Sequence, residues 1–182
     1  GLFGGTFDPP HLGHLLAAVD AYEALDLDQL VWIPAASQPF KVGTVQAPPA
    51  DRLAMVSLMV EGDPRFVVDD VEVHRAGLSF TVDTVAGYAG RFPDATRFLL
   101  VGEDAAAQFE SWREPDRIRA LADIVVLARP TGGAPAWAQR VTTRLVDVSS
   151  TEIRSRVKAG RSIRGFVPDA VAAYIESTTL YR

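Results

Sequence analysis

The stretch that decides the fold is Gly4-Gly5-Thr6-Phe7-Asp8-Pro9-Pro10-His11-Leu12-Gly13-His14. It joins a short apolar segment to a helical period of apolar residues that starts near Leu12, so it predicts a strand, a turn and a helix. Two glycines after a strand let the backbone approach a ligand closely, and the helix start offers free N–H groups and a positive dipole end. His11 and His14 are three residues apart, so they share one helix face and can donate hydrogen bonds to phosphate oxygens.

Other interpretations of these residues stay open at this level. The glycine pair can form a simple turn, and two histidines three apart can bind a metal ion. No convincing third metal ligand is visible, and the only other histidine is His74. Neither the Gly-Lys-Ser/Thr of a Walker loop nor the Gly-x-Gly-x-x-Gly of a dinucleotide oxidoreductase is present, which disfavours those two classes.

Outward from this stretch, apolar runs and helical patterns alternate. Strands are predicted at 30–33, 65–73, 98–101, 124–127 and 144–148, and helices at about 12–25, 53–60, 81–91, 116–121 and 167–177. Such alternation predicts an α/β fold with a Rossmann-like, doubly wound parallel sheet. We expect a single domain over residues 1–182, with a C-terminal helical tail at about 150–182. The segment 35–49 is expected to be a mobile loop that closes over substrate.

Composition limits the partners. The chain has 182 residues and a formal charge of -5, so it is a poor general binder of nucleic acid or of anionic membranes. Phosphate chemistry would therefore need a local cluster of positive groups. The absence of cysteine excludes disulfides, thiolate metal sites and a cysteine nucleophile, and it fits a cytoplasmic location. No apolar run approaches the roughly 20 residues of a membrane span. The oligomeric state stays open, with a homo-oligomer among the options.

The eleven-residue stretch resembles the Gly-Gly-Thr-Phe-Asp-Pro-x-His-x-Gly-His signature of bacterial nicotinate-nucleotide adenylyltransferases, members of the nucleotidyltransferase superfamily that is marked by His-x-Gly-His. The long form of the motif is specific, whereas the short form is a weak signal. The resemblance implies that His11 and His14 contact the phosphates of ATP and stabilise the transition state. It also implies that the cleft between the substrates is lined by Gly4, Gly5, Thr6 and Phe7.

A second phosphate-binding segment is predicted at Ser149-Ser150-Thr151-Glu152-Ile153-Arg154, which is similar to the superfamily's Ser-Ser-Thr-x-Ile-Arg. The hydroxyls of Ser150 and Thr151, together with helix N–H groups, can cradle a phosphate, and Arg154 adds a planar charged fork. The alternative is a helix cap, because Ser149 and Glu152 have capping-box spacing. Both interpretations can hold together.

Two further basic residues are expected near the substrates. The loop Gln38-Pro39-Phe40-Lys41 resembles a family loop that often reads Pro-Pro-His-Lys, which implies that Lys41 contacts a substrate phosphate. Phe40 replaces the family's histidine, so the role of that histidine does not transfer. The segment from Arg52 to Met55 is similar to the family's Arg-x-x-Met. Arg52 would face the acceptor phosphate or anchor its helix through a surface ion pair.

The segment 79–84 is similar to the family's aromatic-Thr-x-Asp-Thr and is expected to bind the acceptor through Thr81, Asp83 and Thr84. Thr81 is also predicted to cap the next helix, with Asp83 in its first turn. Because a carboxylate suits a helix N-terminus better than a neutral amide does, this segment would favour nicotinate over nicotinamide.

The remaining predicted contacts follow the last central strands. Gly102-Glu103-Asp104 resembles the family's Gly-small-Asp, so Gly102 and Asp104 are assigned to ATP, and Glu103 is larger than the family's residue. Asp104 would hold a ribose hydroxyl or help to orient magnesium. The resemblance places Trp112 beside the pyridine ring. Arg129, in an Arg-Pro pair that the family shares, would contact the acceptor or take a surface role.

The resemblance implies an enzyme that transfers AMP from ATP to nicotinate mononucleotide, forming nicotinate adenine dinucleotide and pyrophosphate in NAD biosynthesis. The acceptor's own phosphate would attack, so no protein nucleophile is needed. Charge neutralisation is assigned to His11, His14, Lys41 and Arg154, and Mg²⁺ would be held mainly by the phosphates rather than by protein ligands. The alternatives are nicotinamide mononucleotide or phosphopantetheine as acceptor, or a non-catalytic nucleotide-binding domain.

Overall fold

The computed structural model describes residues 1–37, 47–75 and 78–182. The strands are β1 (Leu2–Gly5), β2 (Leu30–Pro34), β3 (Phe66–Val68), β4 (Phe98–Gly102), β5 (Asp123–Ala128) and β6 (Gln139–Thr142). The helices are α1 (Leu12–Ala24), α2 (Pro49–Val60), α3 (Val71–His74), α4 (Thr81–Arg91), α5 (Glu103–Ala107), α6 (Pro115–Leu121), α7 (Ser150–Lys158) and α8 (Asp169–Ser177). A 3₁₀ turn spans Phe109–Ser111.

The strands form one sheet in the order β3-β2-β1-β4-β5-β6, with every neighbouring pair parallel. All five residues of β2 are buried, as expected for an inner strand that is covered on both faces. The chain winds in opposite directions from β1 and from β4, so the topological switch point lies between these two strands. Their carboxyl ends, at Gly5 and Gly102, are where a ligand is expected in such a sheet.

Helices cover both faces of the sheet, which confirms the predicted doubly wound α/β fold. On one face, Phe3, Trp32 and Leu100 pack in a core that also contains residues of α1, α2, α7 and α8. On the other face, Leu2 and Ile33 pack in a core with residues of α4, α5 and α6. The tail at 150–182 therefore supplies two of the helices that bury the first face.

The predicted strand at 144–148 is wrong, because the last strand is β6, at residues 139–142. Alternating apolar residues suggested a strand, but the backbone N–H of Arg144 donates to the carboxylate of Asp20 on α1 at 2.8 Å instead of joining the ladder. Leu145 is consequently 66% exposed. This segment leaves the sheet and crosses towards α1.

The strand predicted at 65–73 is also shorter than expected. It ends at Val68, because the carboxylate of Asp69 accepts the N–H of Val71 at 2.9 Å and turns the chain into α3. The boundaries predicted for α4 are confirmed, although its N-cap is Phe80 and not Thr81. Within the described residues, no helix is long and apolar enough to cross a membrane.

Candidate active site

The loop after β1 is shaped by a glycine and an aromatic ring that pack on each other. Phe7 is 3% exposed and has a left-handed backbone, with φ of 50°. A Cβ on Gly5 would lie 2.7 Å from the Phe7 ring, so only glycine fits beneath this ring. The ring also makes edge contacts with Phe3 and with His14, at centroid distances of 5.6 and 5.2 Å. Gly5 and Phe7 thus fix the path of the loop, and the Phe7 ring supports the His14 ring.

The two histidines meet at the start of α1, as their spacing predicts. His11 is the N-cap residue, and the two imidazole rings lie 3.7 Å apart between centroids. The backbone N–H of His11 donates to Nδ1 of His14 at 3.3 Å. Since Nδ1 accepts, a neutral His14 carries its proton on Nε2. The pair can therefore offer an N–H donor at a helix N-terminus, which is the chemistry that a phosphate oxygen requires.

His11 is a buried and neutral imidazole at physiological pH. His11 is 8% exposed, and burial lowers its pKa to about 4. Its Nδ1 has no hydrogen-bond partner within the described residues. A Cβ on Gly13 would lie 3.0 Å from this nitrogen, so the ring packs directly on the Gly13 backbone. The small residue between the histidines is what allows this close approach.

A buried carboxylate, Asp8, holds the loop to distant parts of the chain. Its Oδ1 accepts the N–H of Ala47 at 3.0 Å and the hydroxyl of Tyr181 at 2.8 Å. Burial and the charge of Asp8 raise the pKa of Tyr181. Arg154 lies 3.9 Å from the other carboxylate oxygen. The sequence predicted a helical tail here and no contact with the site, and the Tyr181 contact shows that the tail reaches the site loop.

The start of α7 docks on the same loop. Ser149 caps α7 by accepting the N–H of Glu152 at 3.1 Å, which confirms the capping interpretation. Ser150 donates its hydroxyl to the carbonyl of Pro9 at 2.8 Å, and Arg154 donates to the carbonyl of Asp8 at 2.8 Å. Arg154 is held by the protein while its side chain stays 20% exposed. The α7 start and the α1 start therefore face one loop.

A cavity of about 800 Å³ opens at the switch point between β1 and β4. Its lining includes three of the four predicted catalytic residues, every residue predicted to bind ATP, and one residue predicted to bind the acceptor. These are His11, His14 and Arg154; Gly4, Gly5, Thr6, Phe7, Gly102, Asp104, Ser150 and Thr151; and Arg129. The fourth, Lys41, lies outside the described residues. The roles themselves stay predictions, but the structure brings these side chains to one cavity.

Arg52 is not at the surface, which was one of the two positions that the sequence suggested. It is 1% exposed, and its guanidinium donates to four backbone carbonyls at 2.6 to 3.1 Å, including those of Thr6 and Ala35. It is therefore not a surface ion pair, and its N–H groups are occupied by the protein. Arg52 ties together the segments that leave β1 and β2, and this placement does not support direct contact with an acceptor phosphate.

The other predicted acceptor residues lie away from this cavity. Thr84 is buried, and its hydroxyl donates to Glu72 at 2.6 Å. Burial raises the pKa of Glu72, and the hydrogen bond from Thr84 opposes this rise. The side chain of Trp112 packs on Phe109 in the second core, at 5.1 Å between centroids. Thr84 and Trp112 therefore have structural partners, and their roles in binding stay predictions.

The start of α4 is better suited to a ligand. Ser79 connects it to the exit of β2, because its hydroxyl accepts the N–H of Ala36 at 3.0 Å. No side chain of the described residues caps α4, and the N–H groups of Thr81 and Val82 have no intrahelical acceptor because they lie at the start of the helix. Asp83 is exposed in this first turn. The helix start therefore lies next to the strand end that leads into the segment 38–46.

Two charged residues of the cavity were not recognised from the sequence. Arg144 lines it and is held by a bidentate ion pair with Asp20 at 2.5 to 3.2 Å. Glu103 also lines it, and its carboxylate accepts two backbone N–H groups of the turn after β5. No local motif marks Arg144, because its partner is 124 residues away along the chain.

The described residues contain no group of three or more histidine, aspartate or glutamate side chains that could hold a metal ion. Asp104 is an exposed carboxylate of the cavity without a hydrogen bond or an ion pair in the described part of the chain. One such carboxylate fits Mg²⁺ that arrives on a nucleotide, because this ion commonly binds through one or two carboxylates and substrate phosphates.

A parallel sheet with paired histidines, a helix N-terminus and an arginine at its switch point defines a nucleotide-handling enzyme of the nucleotidyltransferase class. The family model described as cytidylyltransferase-like matches residues 2–156, and the chain belongs to this family. It is 54% identical to a protein named "probable nicotinate-nucleotide adenylyltransferase" from Gemmatimonas aurantiaca, over 100% of this chain and 92% of that one. Proteins of the same name from Thermus thermophilus and Opitutus terrae are 45% and 41% identical, covering 100% of this chain and 98% and 97% of theirs.

Solved structures show the same fold at low sequence identity. The nicotinic acid mononucleotide adenylyltransferase of Plasmodium falciparum complexed with NaAD superposes with a TM-score of 0.81 at 16% identity. The same protein complexed with APC gives a TM-score of 0.78 at 16% identity. Both alignments cover 99% of this chain and 95% of the other. These matches support the architecture, whereas the sequence relatives carry the family assignment.

Proposed function

We propose that this chain transfers AMP from ATP to nicotinate mononucleotide, forming nicotinate adenine dinucleotide and pyrophosphate. The observation that carries the proposal is the pair His11–His14 at the start of α1, which lines the switch-point cavity together with Arg154. The names of the relatives that are 41 to 54% identical over the whole chain support the same activity. They support this acceptor over phosphopantetheine as well.

In this mechanism the residues position the substrates and stabilise charge. A phosphate oxygen of the acceptor attacks the α-phosphorus of ATP, the bond to the β-phosphate breaks, and pyrophosphate leaves. His14 would donate from Nε2 to a phosphate oxygen, and the positive charge of Arg154 would stabilise the developing charge. His11, neutral until phosphate binds, would donate through its ring N–H. Mg²⁺, bound through phosphate oxygens with Asp104 nearby, would supply further neutralisation.

The cavity is the proposed binding site for ATP, and the start of α4 is the proposed binding site for the carboxylate of the acceptor. No described side chain caps this helix, and the N–H group of Thr81 and the positive dipole end favour a negative group over a neutral amide. Lys41, in the loop between β2 and α2, is proposed as an additional phosphate contact. Thr81, Asp83 and Arg129 are proposed as acceptor contacts, and the binding roles of Arg52, Thr84 and Trp112 stay predictions.

The test is pyrophosphate release with ATP and Mg²⁺ in the presence of nicotinate mononucleotide, nicotinamide mononucleotide or phosphopantetheine. We expect release with nicotinate mononucleotide and a kcat/KM at least about tenfold lower with the amide, since one charged contact is worth roughly 1.4 kcal/mol or more. Equal use of both pyridine nucleotides would keep the reaction and reject the carboxylate site at α4. Binding of ATP without release of pyrophosphate in the presence of any of these acceptors would reject the enzyme assignment in favour of a nucleotide-binding domain.

A further inference from the structure

The turn that follows β5, residues 129–133, is held from both sides by side chains that lie outside it. On one side, the carboxylate of Glu103 accepts the backbone N–H of Arg129 at 3.3 Å and that of Gly133 at 2.9 Å. On the other side, the guanidinium of Arg140 donates to the carbonyls of three turn residues at 3.2 to 3.4 Å. Glu103 and Arg140 together form a clamp on the turn.

The clamp depends on a glycine. A Cβ on Gly132 would overlap the carboxylate of Glu103, so this carboxylate can reach the turn only because position 132 has no side chain. The N–H of Gly132 also donates to the carbonyl of Arg129 at 2.9 Å and closes the turn from within. Gly132 therefore determines both the shape of the turn and whether the Glu103 carboxylate can reach it.

The clamp fixes the backbone of Arg129 and leaves its side chain uncommitted. Its backbone N–H is held by Glu103 and its carbonyl by Arg140. Its guanidinium lines the cavity and makes no hydrogen bond or ion pair with any described residue. Such an arginine is suited to bind an anion, because its planar guanidinium matches phosphate oxygens. An ordered backbone also means that less conformational entropy is lost on binding than for an arginine in a disordered loop.

The carboxylate of Glu103 also needs a partner in this place. It lies in a cavity that contains His11, His14 and Arg154, where an uncompensated negative charge would repel a phosphate. The two backbone N–H groups of the turn direct hydrogen bonds to it and reduce this repulsion. The clamp thus explains how a glutamate can line an anion-binding cavity.

We propose that Glu103 and Arg140 are positioning residues, which hold the turn so that Arg129 binds a phosphate group of a substrate. This inference rests on the proposed function, since it assigns Arg129 to that reaction. The phosphate can belong to ATP or to the acceptor mononucleotide. The KM of ATP rises in the Arg129→Ala variant if the phosphate belongs to ATP, and the KM of the acceptor rises if it belongs to the acceptor.

The test is a double-mutant cycle with Arg129→Ala, Glu103→Ala and the double variant, comparing kcat and KM for each substrate. We expect Arg129→Ala to raise the KM of one substrate by about tenfold or more, as for a lost charged hydrogen bond, while kcat falls much less. Glu103→Ala should raise the KM of the same substrate, and it should add almost nothing once Arg129 is absent. Glu103→Gln, which still accepts one N–H, should fall between wild type and Glu103→Ala.

Gly132→Ala should reproduce the KM change of Glu103→Ala without removing any charge, and Gly90→Ala is its control, since a Cβ on Gly90 meets no atom within 4 Å. Independent, multiplicative effects of the Arg129 and Glu103 substitutions would overturn the proposal. So would a loss of thermal stability in Glu103→Ala with both KM values unchanged. If wild type releases no pyrophosphate, the proposed function fails, and equilibrium binding of ATP to the same variants decides the role of the clamp.

Discussion

Replacing His11 by asparagine should reduce the change in the free energy of unfolding that occurs when the pH is lowered below about 6.5. Burial lowers the pKa of His11 to about 4 in the folded chain, from an ordinary value of 6.5. The unfolded chain therefore binds a proton more readily than the folded chain between these two values. This imidazole stabilises the fold fully above pH 6.5, and its contribution is lost as the pH falls towards 4.

The magnitude follows from the two pKa values. Between about pH 7.5 and about pH 5, protonation of the unfolded state should lower the free energy of unfolding by roughly 2 kcal/mol through this residue alone. The assay is urea unfolding at both pH values for wild type and His11→Asn, each in the absence of nucleotide. Wild type should lose about 2 kcal/mol more than the variant when the pH is lowered.

The matched control is His74→Asn. The His74 imidazole is 73% exposed, so removing it does not test the effect of burial. The variant should retain the wild-type difference between the two pH values. An equal pH dependence in wild type and His11→Asn would refute the argument that His11 is buried and neutral. The proposed donation from its ring N–H to phosphate would remain possible, because both the neutral and the charged imidazole carry an N–H donor.

Three further predictions concern the site. His14→Ala should lower kcat by about a hundredfold or more with an unchanged circular dichroism spectrum, because one transition-state donor is lost, and near-normal turnover would contradict its role. Gly13→Ala should lower kcat roughly tenfold or more, since the new methyl group would displace the His11 ring, whereas Gly90→Ala should not. Arg52→Met leaves four backbone carbonyls without their donor. It should lower the free energy of unfolding by about 3 kcal/mol or more, measured by urea unfolding. A decrease smaller than about 1 kcal/mol would mean that water molecules replace the guanidinium as donors.

The sequence predicted well those features that depend on local spacing. The histidine pair at i and i+3, the start of α1 near Leu12 and the capped start of α7 at Ser149 follow from short motifs, and each is confirmed as local structure. The doubly wound sheet follows from alternation of strands and helices. The boundaries of α4 are correct because its helical period is undisturbed.

The errors arise where distant side chains compete with a local pattern. Arg144 leaves the sheet because Asp20, on α1, offers a carboxylate to its backbone and its guanidinium. Arg52 turns inward because four carbonyls from three segments converge on it, and no spacing in the sequence shows such convergence. The clamp of Glu103 and Arg140 was likewise not predicted, because Glu103 is 26 and 30 residues away from the turn residues that it binds and no motif marks Arg140.

The loop at Asp8 and Pro9 is held in place by residues that are translated long after it. Its partners Ser150, Arg154 and Tyr181 follow it by 141, 146 and 173 residues along the chain. At an extension rate of roughly 5 to 20 residues per second, a growing chain lacks these three contacts for several seconds after the histidine pair has been made. Nascent chains on the ribosome should therefore acquire nucleotide affinity only after Tyr181 has emerged, because the loop that carries the histidine pair is held by residues of α7 and by Tyr181.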